Sequence, residues 1–225
     1  MDGTSWLNDL PEKPCEERNA AILEAVSSGL AICEWSEVKS TYEDHVAIFR
    51  VNTDAVYVDV DCGRFRPQCS AALLQKIADI VGGSLPTEKI MDISYSNSKK
   101  INCTILPSTS EMFSTTWSKK FNIEVEKKRD GYSGLIRDVG KTWLLDNAII
   151  QSKGAINYGF YNKAAPSKNK IGQRLYQNIG TKHNAFHEDY SQTIILMSIY
   201  CILDGEQAKV TDIMKDPKLC GLLAY

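Results

Sequence analysis

Residues 45–60 read His-Val-Ala-Ile-Phe-Arg-Val-Asn-Thr-Asp-Ala-Val-Tyr-Val-Asp-Val, and this stretch decides the fold class. Apolar and polar residues alternate over His45–Val51 and again over Ala55–Val60, the period of two that a half-buried strand requires. Asn52, Thr53 and Asp54 stand between the halves and favour turns, so the pattern predicts a β-hairpin. Helical periodicity lies on both sides of it. Upstream, Ala20, Ala21, Ile22, Leu23, Ala25 and Val26 sit among helix-forming polar residues in Glu16–Leu30, with Gly29 as the stop. Downstream, Leu73, Leu74, Ile77, Ala78, Ile80 and Val81 recur at steps of three and four within Cys69–Val81, and Gly82-Gly83 ends that helix.

Further along, Thr87 is placed to cap a helix over Glu88–Tyr95, and Ile101–Leu106 reads as a strand closed by Pro107. Ser108–Asp130 carries a basic run with Trp117 and Phe121. It predicts a solvated helix or lid; a phosphate or sugar site is the alternative, although no glycine-rich cradle accompanies it. Gly140–Ile150 and Ala155–Tyr161 read as paired strands joined by a turn at Gln151–Gly154. Asn162–Asn178 lacks periodicity and predicts a long loop. Thr193–Leu203 is a β-branched, apolar strand that turns at Asp204-Gly205 and returns over Gln207–Val210. Thr211 then caps a short helix over Asp212–Lys215, and Pro217 opens a last turn to Leu223. Together these elements predict an α+β fold with a mixed, mainly antiparallel sheet and helices packed on one side. The length of 225 residues suits one domain, with a division into lobes at 1–107 and 108–225 as the alternative.

Charge and cysteine content narrow the function classes. A net charge of -2 gives no basic field for nucleic acid or an anionic membrane surface. Nucleic-acid binding would rest only on Lys119–Arg129 and Lys163–Arg174 and is disfavoured. The acidic start of the chain is unlike a signal peptide, and no run reaches the roughly 18 apolar residues of a membrane helix. Seven cysteines with no CxxC pair point to reduced thiols and a cytoplasmic protein without a zinc ribbon.

Chemistry concentrates in residues 183–192, His-Asn-Ala-Phe-His-Glu-Asp-Tyr-Ser-Gln. Two of the three histidines stand here, four positions apart, beside Asp189, Tyr190 and Ser191. Imidazole exchanges protons near neutral pH, a carboxylate orients it, and a hydroxyl attacks or donates. As a loop entering a strand, the segment sets His183 against Asp189 or Ser191 as an acid-base pair, with Lys141 or Tyr158 as electrophilic help. As a helix, it puts His183 and His187 on one face for a divalent metal, but a third ligand is then missing. The loop reading needs no cofactor and is the preferred one. No Gly-x-Ser-x-Gly elbow is present, so a serine triad is not indicated. The competing reading is structural, with Asp189 and Ser191 satisfying backbone groups at the strand entrance.

Gly140-Lys141-Thr142-Trp143, Asn157-Tyr158-Gly159-Phe160-Tyr161, His183 with Asp189-Tyr190-Ser191-Gln192, and Asp204-Gly205 before a short helix resemble motifs of a poorly characterised group of bacterial and phage-encoded proteins. Leu85-Pro86-Thr87 and Asp92 extend the likeness weakly. The resemblance implies a shared fold, a shared cleft and a phage-related origin. Group members tend to carry Tyr-Gly-Trp-His where this chain has Tyr158 to Tyr161, so Tyr161 stands where they place a histidine.

Two functions follow as expectations. The first is a hydrolase acting on a polar polymer or ester, cell-wall material included. In it His183 is the base, Asp189 its orienter, Ser191 or a water the nucleophile, and Lys141 the stabiliser of negative charge, while Trp143, Tyr158, Tyr161, His187 and Tyr190 contact the polymeric or small polar substrate. The second is a non-catalytic assembly or virion protein, a homo-oligomer or a partner of phage-particle proteins, with Trp143, Tyr158, Phe160 and Tyr161 as its contact surface.

Overall fold

The computed structural model of the chain describes residues 2–146, 154–162 and 164–225. Four of its helices start where a Ser, Thr or Asp side chain caps them. Asp2 caps α1 (Gly3–Asp9), Ser70 caps α3 (Ala71–Val81), Thr87 caps α4 (Glu88–Asn97) and Ser114 caps α5 (Thr115–Arg129), each accepting from a backbone N–H three residues on. α2 (Glu16–Ser27) places Glu16 and Glu17 in its first turn, where they favour the positive end of the helix dipole. α3 ends at Gly82 with φ 64°, the left-handed conformation that glycine adopts without steric cost. α6 (Val210–Lys215) begins after Lys209, and no side chain caps it, so the cap expected from Thr211 is not formed.

The strands, in chain order, are β1 (Ala31–Ile32), β2 (Trp35–Tyr42), β3 (His45–Asn52), β4 (Tyr57–Val60), β5 (Gly63–Phe65), β6 (Gly83–Ser84), β7 (Lys99–Lys100), β8 (Ile136–Arg137), β9 (Lys141–Leu144), β10 (Ala155–Tyr161), β11 (Ser167–Lys168), β12 (Arg174–His183), β13 (Met197–Leu203) and β14 (Glu206–Lys209). β2, β3, β13 and β14 form an antiparallel sheet, with β6 also on β13; a second antiparallel sheet runs β11-β12-β10-β9; a third runs β1-β4-β5. Among the named strands of the described residues, the short β7–β8 pair alone is parallel, and an isolated parallel bridge joins Lys141 to Gln192. The fold is therefore α+β with mainly antiparallel sheets.

The hairpin predicted over residues 45–60 is not one. β3 pairs with β2 and β13, while β4 pairs with β1 and β5. Asn52, Thr53 and Asp54 are buried, as a solvent-facing turn is not. The Asn52 side chain accepts from Leu196 N at 2.7 Å, and Asp54 accepts from Arg66 Nε and Nη2 at 2.6 Å each. These bonds carry the chain from one sheet to the next, satisfying polar groups that would otherwise be buried unpaired. The true hairpin partner of β3 is β2, closed tightly by Glu43 (φ 49°) and Asp44.

Three other expectations change. Ile101–Leu106 lies outside any strand: it leaves β7 with Ile101 N bonded to Arg137 O at 3.1 Å, and Asn102 then turns left-handed at φ 50°. The loop predicted over Asn162–Asn178 instead contains β11 and the start of β12, joined where Asn169 N donates to Gln173 O. The strand expected from Thr193 begins regular pairing only at Met197. β9 and β10 do pair, with Ile156 opposite Leu144, whereas Gln151–Lys153 of the turn expected between them lies outside the described residues.

The core has three parts. α2 and α3 pack Ile22, Leu74 and Ile77 against Trp143, Ile194 and Leu196. α5 packs Phe121 and Val125 against β10 and Tyr190. α4 and α6 pack Ile90 and Ile213 against Phe49, Val51 and Met197 of the largest sheet. Each such side chain contributes roughly 1.5–3 kcal/mol on full burial, so α5, expected as a solvated helix or lid, is anchored along one face and turns its charged face outward.

Candidate functional site

β12 ends at His183, and the chain then reverses through Asn184–His187: His187 N donates to Asn184 O, and Asn184 Oδ1 accepts from Phe186 N at 2.9 Å. The segment is a turn, not a helix. Its reversal lays the His187 ring on the His183 ring, with centroids 3.8 Å apart and planes 8° from parallel. Phe113 and Trp143 close the stack edge-on, at 5.9 Å from His187 and 6.4 Å from His183. Parallel stacked rings do not aim two nitrogens at one point, and among the described residues no group of three or more His, Cys, Asp or Glu side chains is placed to hold a metal.

Asp189 is the hub. Its carboxylate is almost wholly buried, with 2% of the side chain exposed. Oδ1 accepts from Ser191 N at 2.8 Å and from the Ser191 hydroxyl. Oδ2 faces His187 Nε2 at 3.4 Å and Lys141 Nζ at 3.5 Å. Burial pushes this carboxyl upward, but His187, Lys141 and Ser191 together outweigh it and hold it at about 2. Asp189 N donates to Gln192 Oε1 at 2.7 Å, which closes the loop on itself.

Two glycines let the backbones meet. Gly140 has φ 143°, and a Cβ on it would lie 2.6 Å from Ser191 O. A Cβ on Gly159, φ 137°, would lie 3.1 Å from Lys141 Cα. With no side chain at either position, Lys141 N reaches Ser191 O and Thr193 N reaches Lys141 O at 2.8 Å. The loop is also tied to α2: the buried Arg18 guanidinium pairs with Glu188 and donates to Phe113 O at 3.0 Å. Nothing in the spacing of Arg18 marked this role; its only signal was an arginine among the apolar positions of α2.

The structure brings together Lys141, His187, Asp189 and Ser191, with His183 stacked on His187. It does not pair His183 with Asp189; His187 takes that place. His183 is shifted below the ordinary imidazole value by burial first, then by His187 and Lys141, against a smaller opposing pull from Asp189. Ser191 is buried with its hydroxyl committed to Asp189. Tyr158 and Tyr161 lie apart from this cluster: both are buried, and both phenols donate to Asp92 Oδ1 at 2.7 Å. Trp143 is buried, with its Nε1 donating to Cys69 O. Tyr190 is buried with its hydroxyl on the Leu106 backbone. Phe160 is buried too, so the aromatic contact surface expected from Trp143, Tyr158, Phe160 and Tyr161 is interior core.

An open cleft of about 260 Å³ adjoins the cluster, lined by Ile105, Leu106, Met112, Phe160, Tyr176 and Tyr190 with Ser108, Gln177, Lys141 and Ser191. Lys141 and Ser191 belong both to the cleft and to the Asp189 cluster. Phe160 holds φ 53°, a strained conformation for a bulky residue of the kind that clusters at functional sites. Among the described residues no helix is long and apolar enough to cross a membrane. No protein family, curated protein or solved structure that was compared matches the chain.

Proposed function

We propose that the Asp189 cluster is a hydrolytic site acting on an ester or polar polymer by imidazole acid-base chemistry. The observation that carries the reading is the sharing of Asp189 Oδ2 by His187 and Lys141, of which Lys141 also lines an open cleft. A buried carboxylate held ionised beside an imidazole compensates the charge that imidazole gains with a proton. An ammonium on the same oxygen stands ready to stabilise an oxyanion.

In this mechanism a water attacks the acyl carbon and gives its proton to the imidazole pair. The carbonyl oxygen becomes an oxyanion facing Lys141. Collapse breaks the carbon–oxygen bond to the leaving group, which takes a proton back from the imidazolium, and the products are an acid and an alcohol. Burial, then the neighbouring His187 and Lys141, hold the His183 ring below the ordinary imidazole value, which favours its unprotonated, proton-accepting form. Water is assigned as nucleophile because the Ser191 hydroxyl already donates to Asp189.

The test is hydrolysis of a panel of p-nitrophenyl esters and soluble glycans by the full chain, with H187A and D189N alongside and circular dichroism to verify folding. Removing an acid-base group typically costs about 10²–10⁴ in rate, and a folded variant should lose that much. Full activity in folded H187A, or no turnover of any panel member by the native chain, would overturn the reading.

A further inference from the structure

The cleft beside Lys141 has a composition unlike that of a polar-polymer groove. Six of its ten lining residues are Ile105, Leu106, Met112, Phe160, Tyr176 and Tyr190, and Lys141 is its one charged group. Its volume of about 260 Å³ is below the ~300 Å³ at which pockets for drug-sized ligands begin. That space takes a short chain or single ring between its walls.

The polar lining groups differ in what they have left to offer. Ser191 is committed to Asp189, and the Tyr190 hydroxyl both accepts from Leu106 N and donates to Leu106 O. Lys141 carries three N–H donors, and its Nζ pairs with Asp189 Oδ2 at a long 3.5 Å. The ammonium thus has donors for an incoming oxygen at the end of an apolar trough. Phe160, held at φ 53° and packed edge-on against Phe121 at 6.0 Å, fixes one wall.

We propose that this cleft binds a short apolar acyl group, with the acyl oxygen on Lys141, so that the substrates are esters of short apolar acids. The proposal rests on the hydrolytic reading of the Asp189 cluster and selects the ester over the polymer. After cleavage the acyl carbon carries the oxygen supplied by water, and the resulting carboxylate is the product that the same cleft would hold. An apolar carboxylate is therefore a probe that needs no turnover.

The experiment is calorimetric titration of the full chain with hexanoate, acetate and hexylamine. Hexanoate should bind saturably and at least tenfold more tightly than either of the others, since acetate lacks the chain and hexylamine carries the wrong charge. I105D, at a residue already partly exposed, should abolish hexanoate binding, and K141M should weaken it at least tenfold. H187A should bind hexanoate as the native chain does while losing hydrolysis. Equal binding of hexylamine and hexanoate, no saturable hexanoate binding, or unchanged binding in both I105D and K141M would overturn the acyl site. Retained hexanoate binding in a chain that hydrolyses no ester would instead remove the hydrolytic reading and leave the binding cleft standing.

Discussion

His183 and His187 lie ring on ring at 3.8 Å, held there by a four-residue turn instead of by a helix. The His187 ring thus acts directly on the His183 imidazole and helps to hold it below its ordinary value. Removing the His187 ring in H187Q should raise the His183 midpoint, because a potential like charge is lost, although burial and Lys141 still hold it down. Proton NMR titration of the His183 ring reads this without reference to activity. An unmoved midpoint would show that the two rings do not interact.

Asp189 should make the fold acid-sensitive. Its folded value of about 2 lies below the ~3.9 of a free aspartate. A depressed carboxyl contributes stability that is complete above the unfolded value and disappears as pH falls through the folded one, here from roughly pH 5 to 2. The linked contribution is about 2–3 kcal/mol. D189N should remove that part of the acid dependence in urea titrations at pH 3 and pH 7, and an unchanged difference between the two would count against it.

Asp138 should act in the opposite sense. Its carboxyl is buried, and burial outweighs the weak pull of the Cys103 and Asn102 backbone amides and of Lys128 and pushes it up to about 8. Here the folded chain binds the proton more tightly than the unfolded one, so stability falls as pH rises from about 4 to 8. D138N removes the ionisable group and should stabilise by on the order of 5 kcal/mol at pH 8, at about 1.4 kcal/mol per pH unit, with little effect at pH 4. Thermal melts at the two values check it, and destabilisation at pH 8 would refute it.

Gly140 should tolerate no side chain. G140A combines φ 143° with a Cβ 2.6 Å from Ser191 O, so the bridge between Lys141 and Ser191–Thr193 must open. The cost should be about 2 kcal/mol or more, and ester hydrolysis should fall with it. G29A, at a positive-φ glycine where a Cβ meets nothing within 4 Å, is the control for backbone strain alone.

What could be read in the sequence follows from how local each determinant is. The stop at Gly82, the cap at Thr87 and the Asp204-Gly205 turn are set by neighbours within a few residues, and the structure repeats the limits they mark, whereas the helix read from Cys69 starts at Ala71 behind a Ser70 cap. The pairing of β3 was not legible, because Asn52-Thr53-Asp54 has turn composition but is held by Arg66, 12 positions on, and by Leu196, 144 positions from Asn52. β12 was missed because Gln177, Asn178, Gly180, Thr181 and Lys182 carry no apolar alternation; β10 supplies its pairing. Residues 183–192 named most of the cluster by density of chemistry alone. Which histidine would meet Asp189 depended on the turn at Asn184, and the Lys141 contact depended on Gly140 just before it and Gly159 in the neighbouring strand.

The seating of β3 between β2 and β13 bears on how the chain reaches this state. Asn52 and Leu196, bonded across that sheet, stand 144 positions apart, so ribosomal synthesis leaves one edge of β3 bare until most of the polypeptide has emerged. Long-range pairing of this kind slows folding and leaves strand edges open to other chains in the interval. Prematurely terminated products ending before β13 are therefore expected to aggregate instead of accumulating as a folded amino-terminal half.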